Sequence, residues 1–456
     1  MIVSDGNLLT LRPGVLILAA AALWLQVPIA ARGQTFRTTS EGLNAGHFVL
    51  YPSMALEYTQ DGNVFYRNQD RPGESIIQSG IYVLRPRILV DLPIGAGRVR
   101  WVYSPVYRAY TSEMFRETKR FSHFLDIEAT RSGPVVSVRA TEHLVRGTIE
   151  LQEVDRGGEA IFGLVPFTTH SPELEVTVKA GARNGLSLLP RYSAVRFEEK
   201  GSTAFFSYRR KEIEARFSRA LSEPTALYAY YTLDKTDQER EQILFGDVSL
   251  DARTIGVGLR RTLNQEVLTS IAAGYKSIDF RGGSKTDFTG PVLDARATWH
   301  IGDDTLLDVS VGRQAYQSFF VNNNYYIDGE ARFHLLHQVG QSVYWDVSLA
   351  YLNNVYADPL DISVTAATPP ELDGDGDGRI DGYEVLAPSV GRRRRDNVYR
   401  LQVGAGWQPV RTLRVFIGYN GERRSSNIEQ SFAGGVFEPF DYSVNRIFFR
   451  IEAGWL

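Results

Sequence analysis

The 456-residue chain contains no cysteine. That excludes disulfides, thiolate metal sites, a cysteine nucleophile and lipid attachment through an N-terminal cysteine. Methionine is nearly absent as well, with 3 residues beside 24 Phe, 23 Tyr and 41 Gly. Such a mixture favours strands and turns over helices. Neither sign of charge dominates: 50 Lys and Arg against 53 Asp and Glu leave a net charge of −3, which gives no reason to expect nucleic acid as a partner. A charged fraction of 23% excludes wholesale disorder. Enzyme motifs are missing too. The seven His include no HExxH pair, and there is no GxSxG, P-loop or GxGxxG. The expectation is that the chain is not an enzyme; a hydrolase built from non-contiguous loop residues is a remote alternative.

Long apolar runs are equally scarce. The one that exists, Val15 to Leu25, is preceded by Arg12 and followed by Pro28 and Ala30-Ala31-Arg32-Gly33. That is the pattern of a secretory signal, with cleavage after Gly33 and residues 1–33 as leader. An uncleaved anchor is the alternative, but the run is short for a span. Elsewhere no apolar run approaches 18 residues, so any return to a membrane would be made by strands.

What is present is alternation. Ile447, Phe449, Ile451, Ala453 and Trp455 share one face of the last segment, and Arg446, Arg450 and Glu452 the other. Leu413, Val415, Ile417 and Tyr419 oppose Arg414, Asn420 and Glu422; Val343, Trp345, Val347, Leu349 and Tyr351 oppose Asp346 and Ser348; Leu293, Ala295, Ala297 and Trp299 oppose Asp294, Arg296 and His300. Period two means strands, each with one apolar and one polar face. A soluble sandwich with a wet outer face and a membrane barrel with a wet lumen both fit. Three features favour the barrel, the first being a secretory signal in a chain with no disulfide. Short turns at Ser222–Pro224, Leu263–Gln265, Gly302–Asp303, Val339–Gln341 and Gln408–Arg411 alternate with long connections near 235–248, 279–287, 317–325, 355–395 and 425–441. Trp101, Trp299, Trp345, Trp407 and Trp455 all fall near a short turn or the C-terminus, as an interfacial girdle requires.

The fold expected is therefore all-β: a transmembrane antiparallel up-and-down β-barrel in the outer membrane of a Gram-negative bacterium. Its strands begin near residues 47, 76, 98, 119, 134, 172, 185, 206, 225, 250, 265, 288, 304, 327, 342, 396, 411 and 442. That is about 18 strands, with 16 or 20 open because 157–168 and 203–221 read ambiguously. Residues 34–46 read as a periplasmic segment and 47–456 as the barrel, with the long loops outside.

The opening strand and its exit, HFVLYPSMALEYTQDGNVFY at 47–66, with its Asp61-Gly62-Asn63-Val64-Phe65 turn, resembles the type 2 beta-barrel porin family, as does the style of RFSRALSEPTALYAYYTLDKTDQE. The resemblance implies an outer-membrane barrel, often associated with exopolysaccharide systems, and no catalytic residues. The last strand ends in Trp455 followed by Leu456, a partial match to the C-terminal signal read by the barrel-assembly machinery.

One segment carries specific chemistry. Asp373-Gly374-Asp375-Gly376-Asp377-Gly378-Arg379-Ile380-Asp381-Gly382-Tyr383-Glu384 matches the twelve-residue EF-hand calcium loop. Asp373, Asp375 and Asp377 stand at positions 1, 3 and 5, Gly378 at the sharp turn, and Arg379 offers its carbonyl. Asp381 serves directly or through water, and Glu384 is the bidentate ligand. The bland alternative is a solvated acidic loop. Pro369 and Pro370 shorten any entering helix, so binding of Ca2+ in the 10⁻⁴–10⁻³ M range is expected. The loop, 355–395, is placed at the cell surface. Arg392-Arg393-Arg394-Arg395 follows at once, and Arg423 and Arg424 top the next strand. Together they read either as an outer-rim cluster for lipopolysaccharide phosphates or acidic polysaccharide, or as a solvated rim. The lumen list, Asp294, Glu330, Asp346 and Glu452 with Arg296, Arg332, Arg400, Arg414, Arg446 and Arg450, carries both signs and implies weak ion selectivity. Two functions follow as expectations: a channel for small solutes or surface polysaccharide, or a non-conducting structural or assembly component of an envelope system.

Overall fold

A computed structural model of the chain describes residues 42–64, 66, 76–113, 121–148, 166–198, 207–239, 249–263, 266–281, 286–318, 324–359, 391–428, 430–432, 435–437 and 440–455. The leader at 1–33 and the calcium-loop residues 373–384 lie outside these. The strands are β1 (Leu43–Ala45), β2 (Phe48–Asp61), β3 (Ser79–Ile94), β4 (Gly97–Tyr110), β5 (Phe121–Ser132), β6 (Val136–Thr148), β7 (Pro166–Ala180), β8 (Asn184–Phe197), β9 (Tyr208–Ser222), β10 (Thr225–Gln238), β11 (Leu250–Leu263), β12 (Val267–Phe280), β13 (Phe288–Ile301), β14 (Thr305–Gln317), β15 (Tyr325–Val339), β16 (Val343–Pro359), β17 (Arg393–Val410), β18 (Leu413–Ser426), β19 (Gln430–Phe432), β20 (Gly435–Phe437) and β21 (Tyr442–Gly454).

Nineteen strands form one sheet, and β19 and β20 make a separate ribbon. From β2 to β18 each strand pairs antiparallel with its neighbour in sequence. β21 then pairs with β18 on one side and with β2 on the other, from Ser53↔Gly454 to Asp61↔Arg446. That last ladder closes the sheet. β1 adds only to β2, so eighteen of the nineteen strands make the barrel, and the 16- and 20-strand alternatives fall away. The described residues of the 203–221 stretch contribute one strand, β9. The strand starts agree with the alternation to within three residues, except β7, which begins at Pro166 rather than 172. Its opening residues Thr168, Thr169, His170 and Ser171 are polar on both faces, which hides the period.

Eight connections of two or three residues lie on one rim, together with the start of β2 and the end of β21. Gly95, Gly181, Gly302 and Gly340 in these turns hold φ of 55°, 75°, 61° and 65°, a region glycine enters without steric penalty. Trp101, Trp299, Trp345 and Trp407 stand on the outer face near that rim, each 43–53% exposed. Above them the outer face is aliphatic and aromatic, with Ile255 and Val257 each 64% exposed and Ile417, Ile447 and Phe449 similarly bare. Apolar area held in water costs about 25 cal/mol per Å², so a belt of this kind belongs against hydrocarbon. No helix among the described residues is long and apolar enough to cross a membrane; the strands cross instead.

A charge placed in the belt tests this orientation. Val257→Arg is expected to lower unfolding stability in liposomes by about 2–4 kcal/mol, the cost of an arginine on the lipid face near the midplane, measured by denaturant titration against the wild type.

Candidate functional site in the barrel lumen

Alternate residues of every barrel strand point inward, and the register brings their charges into pairs. On the wall made by β2, β17, β18 and β21, Arg450 donates to Glu57 (2.6 Å), Arg414 to Glu452 (3.4 Å), Arg400 to Glu422 (3.0 Å) and Arg446 to Asp61 (2.7 Å). Along the wall of β7 to β10, Arg191 donates to Glu173 (2.8 Å) and contacts Glu212, while Arg210 donates to Asp234 (2.9 Å). On β13 to β16, Arg296 donates to Asp308 (2.9 Å), Arg332 to Glu330 (2.7 Å), and His334 contacts Asp346 (3.1 Å). All ten charged residues expected in the lumen are there. His334 is inward, but His337 sits outward near the short-turn rim, bonded to Thr305 (2.8 Å) and paired in register with Trp345.

Flat aromatic rings cover inward glycines at two places. Tyr228 and Tyr230 lie over Gly258 and Gly256, and Tyr344 and Phe416 over Gly406 and Gly404. Without a side chain on the glycine, the ring can lie along the wall rather than stand across the channel. Phe416 stacks on Phe448 at 5.5 Å, and Arg450 sits over both rings.

The long-loop mouth is tighter. Asp396 is wholly buried and accepts from Arg394 Nε and Arg424 Nε, each at 3.0 Å. Arg394 lies between the rings of Tyr356 (4.5 Å) and Phe440 (3.6 Å), and Arg424 also donates to the Tyr356 hydroxyl (3.4 Å). This splits the basic run expected on the outer rim. Arg394 and Arg424 turn into the barrel and close on Asp396, whereas Arg393, Arg395 and Arg423 point outward and are exposed. Strand alternation is the reason: consecutive side chains cannot share a face. Over β11 to β16 the mouth is packed by Leu250, Ala252, Ile278, Phe280, Phe288 and Tyr325, and Thr286 donates to Asp358 at 2.5 Å. These contacts, with Lys276 of β12 donating to the Ala315 carbonyl of β14 (2.8 Å), bring the upper ends of these strands together at the mouth.

The turn after β2 reaches in as well. Asp61 accepts from the Asn63 amide (2.9 Å), Asn63 Nδ2 donates to the Ser443 carbonyl (3.2 Å), and the Gly62 amide donates to the Asn445 carbonyl (3.0 Å). The motif residues thus fasten the loop to β21 and deliver Tyr66 into the barrel. Tyr66 holds φ of 55°, a conformation costing a non-glycine residue about 1–2 kcal/mol. It is retained by the bond from Arg446 to its hydroxyl (2.9 Å) and an edge contact with Tyr442 (5.1 Å). Burial pushes the Tyr66 hydroxyl above the ordinary phenol range, with Arg446 opposing.

Between the mouth and the short-turn rim lies a cavity of about 670 Å³, bounded by Asp294, Arg296, Glu330, Arg332, Arg400 and Arg446 among others. Asp294 is exposed to it, and its row partner Gly312 leaves open the space beside Glu330. The arrangement can hold water and bind polar solutes of either sign. Among the described residues no group of three His, Asp or Glu is placed to hold a metal ion; the expected calcium ligands Asp373, Asp375, Asp377, Arg379, Asp381 and Glu384 lie outside them.

No protein-family model matches the chain, nor does any curated protein, so the resemblance to type 2 porins stands only at the level of the barrel. Solved structures do align with it. The outer membrane protein OpdK of Pseudomonas aeruginosa is 10% identical, with 89% of this chain and 99% of that one covered at a TM-score of 0.43. OccK2 (OpdF) of the same organism, in complex with glucuronate, is 9% identical with 89% and 98% covered at 0.44. The siderophore receptor PirA, also from P. aeruginosa, is 10% identical with 89% and 80% covered at 0.39. The barrel itself is established by the closed strand pairing.

Removing the shared carboxylate at the mouth should be costly. Asp396→Asn leaves two buried guanidinium groups without their counter-charge and is expected to destabilise the barrel by about 3–5 kcal/mol. The triple change Arg394→Met, Asp396→Leu, Arg424→Met should recover most of that loss. Unfolding titrations in detergent compare the three proteins.

Proposed function

We propose that the chain is an outer-membrane porin-like channel for small polar solutes. The observation that carries this reading is the charge-lined cavity inside a closed barrel whose outer face is apolar. Lipid, including lipopolysaccharide, covers the outside. The barrel-assembly machinery inserts it, reading the last strand and the Trp455 that follows it. Surface polysaccharide or exopolysaccharide is a second candidate cargo. The lumen pairs its charges nearly everywhere, so no single sign dominates the path and ion selectivity is weak.

The refolded protein in planar bilayers should give discrete, ohmic openings with a small reversal potential in a salt gradient. Tyr66→Gly, which relieves the positive φ and removes the inserted ring, should raise the single-channel conductance. A barrel that folds and inserts yet stays silent in both forms supports the second reading, a structural or assembly component of the envelope. The packed mouth around Asp396 is the observation that favours that alternative.

Calcium is proposed for the loop at 373–384, with Asp373, Asp375, Asp377, Asp381 and Glu384 supplying carboxylates and Arg379 its carbonyl. Four or five clustered carboxylates repel one another unless a cation sits among them. Calorimetry on the full-length refolded barrel should show calcium uptake with a Kd of about 10⁻⁴–10⁻³ M, abolished by Glu384→Gln. No calcium heat at millimolar levels, or an unchanged Glu384→Gln titration, overturns the proposal.

A further inference from the structure

We infer that the outer wall over β14 to β18 is a seat for a phosphate-bearing glycolipid of the outer leaflet, held through its phosphates by Arg393, Arg395 and Arg423. The inference rests on the membrane orientation proposed above. It is argued from height, shape and charge.

Height comes first. Trp407, near the short-turn rim, and Tyr399 lie on the same outward face of β17, eight residues apart. At about 3.3 Å per residue and a tilt near 40°, this separates them by about 20 Å along the membrane normal. Tyr399 and Tyr351, with ring centroids 5.2 Å apart, therefore stand at the opposite interface. Arg423 is the register partner of Tyr399, and Arg395 lies four residues further out on β17. These guanidinium groups are at headgroup level.

Shape comes second. A shallow groove of about 580 Å³ runs below them on the outer wall, lined by apolar residues such as Val311, Ala331, Phe333, Leu349 and Leu401, with Arg423 at its upper end. Ala331 leaves the floor low between larger neighbours, and the Tyr419 ring lies over Gly421. At the top of the groove the wall turns polar. The Tyr419 hydroxyl donates to Asn445 Oδ1 (2.5 Å), and the Tyr351 hydroxyl and Asn353 Nδ2 donate to Asn397 Oδ1 (2.8 and 2.9 Å). An acyl chain fits the lower part, and a sugar-phosphate headgroup fits the upper.

Charge decides between occupants. Arg393, Arg395 and Arg423 have no carboxylate partner among the described residues. Their inward neighbours Arg394 and Arg424 are both committed to Asp396. Elsewhere on the same rim several outward cations are paired, as in Arg146–Glu198, Arg209–Glu239 and Arg281–Asp251, while Lys211 of β9 and Arg253 of β11 stand singly, away from the groove, with no ion pair among the described residues. Arg423 at the upper end of the apolar groove, with Arg395 and then Arg393 further out on β17, suits a lipid carrying more than one phosphate, because the planar fork of arginine matches phosphate oxygens. Lipid A, with two phosphates on a diglucosamine and several acyl chains, is that chemistry; a single-phosphate phospholipid uses the site less fully.

The test uses the full-length refolded barrel in detergent, exchanged against lipid A, dephosphorylated lipid A or phosphatidylglycerol and read by native mass spectrometry. The wild type should retain lipid A through detergent washes and lose the dephosphorylated form. The triple variant Arg393→Gln, Arg395→Gln, Arg423→Gln should lose at least tenfold in lipid A retention while keeping its heat-modifiable gel shift and its bilayer behaviour. Equal retention by the triple variant, equal retention of dephosphorylated lipid A, or phosphatidylglycerol held as firmly as lipid A overturns the inference. Because folding and insertion are read separately, failure of the wild type to insert would sink the membrane reading, whereas an inserted barrel indifferent to lipid A sinks only this site.

Discussion

Inside a hydrocarbon layer a backbone amide or carbonyl has no water to turn to, and each one left unpaired costs several kcal/mol. A sheet meets that condition only if it has no edge. In this chain the ladder between β2 and β21 removes the edge, joining residues nearly four hundred positions apart. Everything else follows from closure. Once the sheet is a cylinder, side-chain alternation assigns the barrel residues to lipid or lumen, and the apolar packing described inside sits at the long-loop mouth. The 43% hydrophobic content is spent largely on the outer surface.

Closure also explains why the charges are paired as they are. A lumen that carried this many ionisable groups without counter-charges would be repelled apart by its own field. The register prevents this by placing opposite signs on neighbouring strands, as with Arg400 and Glu422 or Arg450 and Glu57. The pairs brace the wall and leave a polar path along it. At the long-loop mouth the same chemistry is drier, and the Asp396 clasp becomes a structural element. A rim built in this way divides its arginines by parity. Even-numbered residues of β17 and β18 hold the mouth together, and odd-numbered ones face the membrane surface.

Much of this could be read in the residues before any coordinates. Period-two patterning locates the strands well because lipid on one side and water on the other leave little freedom at each position. It fails at Pro166 to Ser171, where polar side chains occupy both faces and the signal vanishes. The lumen list is legible for the same reason as the strands. The fate of Arg392–Arg395 is not, because a run of identical residues says nothing about which members face which way until the register is known. Nor does the sequence reveal that Asp61 and Asn63 tie their loop to Ser443 and Arg446, since the contact depends on closure rather than on local pattern. The twelve-residue acidic segment 373–384 is the opposite case: the calcium chemistry proposed for it rests on residue spacing alone.

Because the chain has no cysteine, single cysteines can report the two faces without background. Cysteine substituted in turn at Leu293, Asp294, Ala295, Arg296, Ala297 and Thr298 of β13, in barrels inserted in liposomes, would be challenged with a charged, membrane-impermeant thiol reagent. Rapid labelling at 294, 296 and 298 with protection at 293, 295 and 297 is the result the account predicts. Uniform labelling, or the reverse alternation, would contradict it.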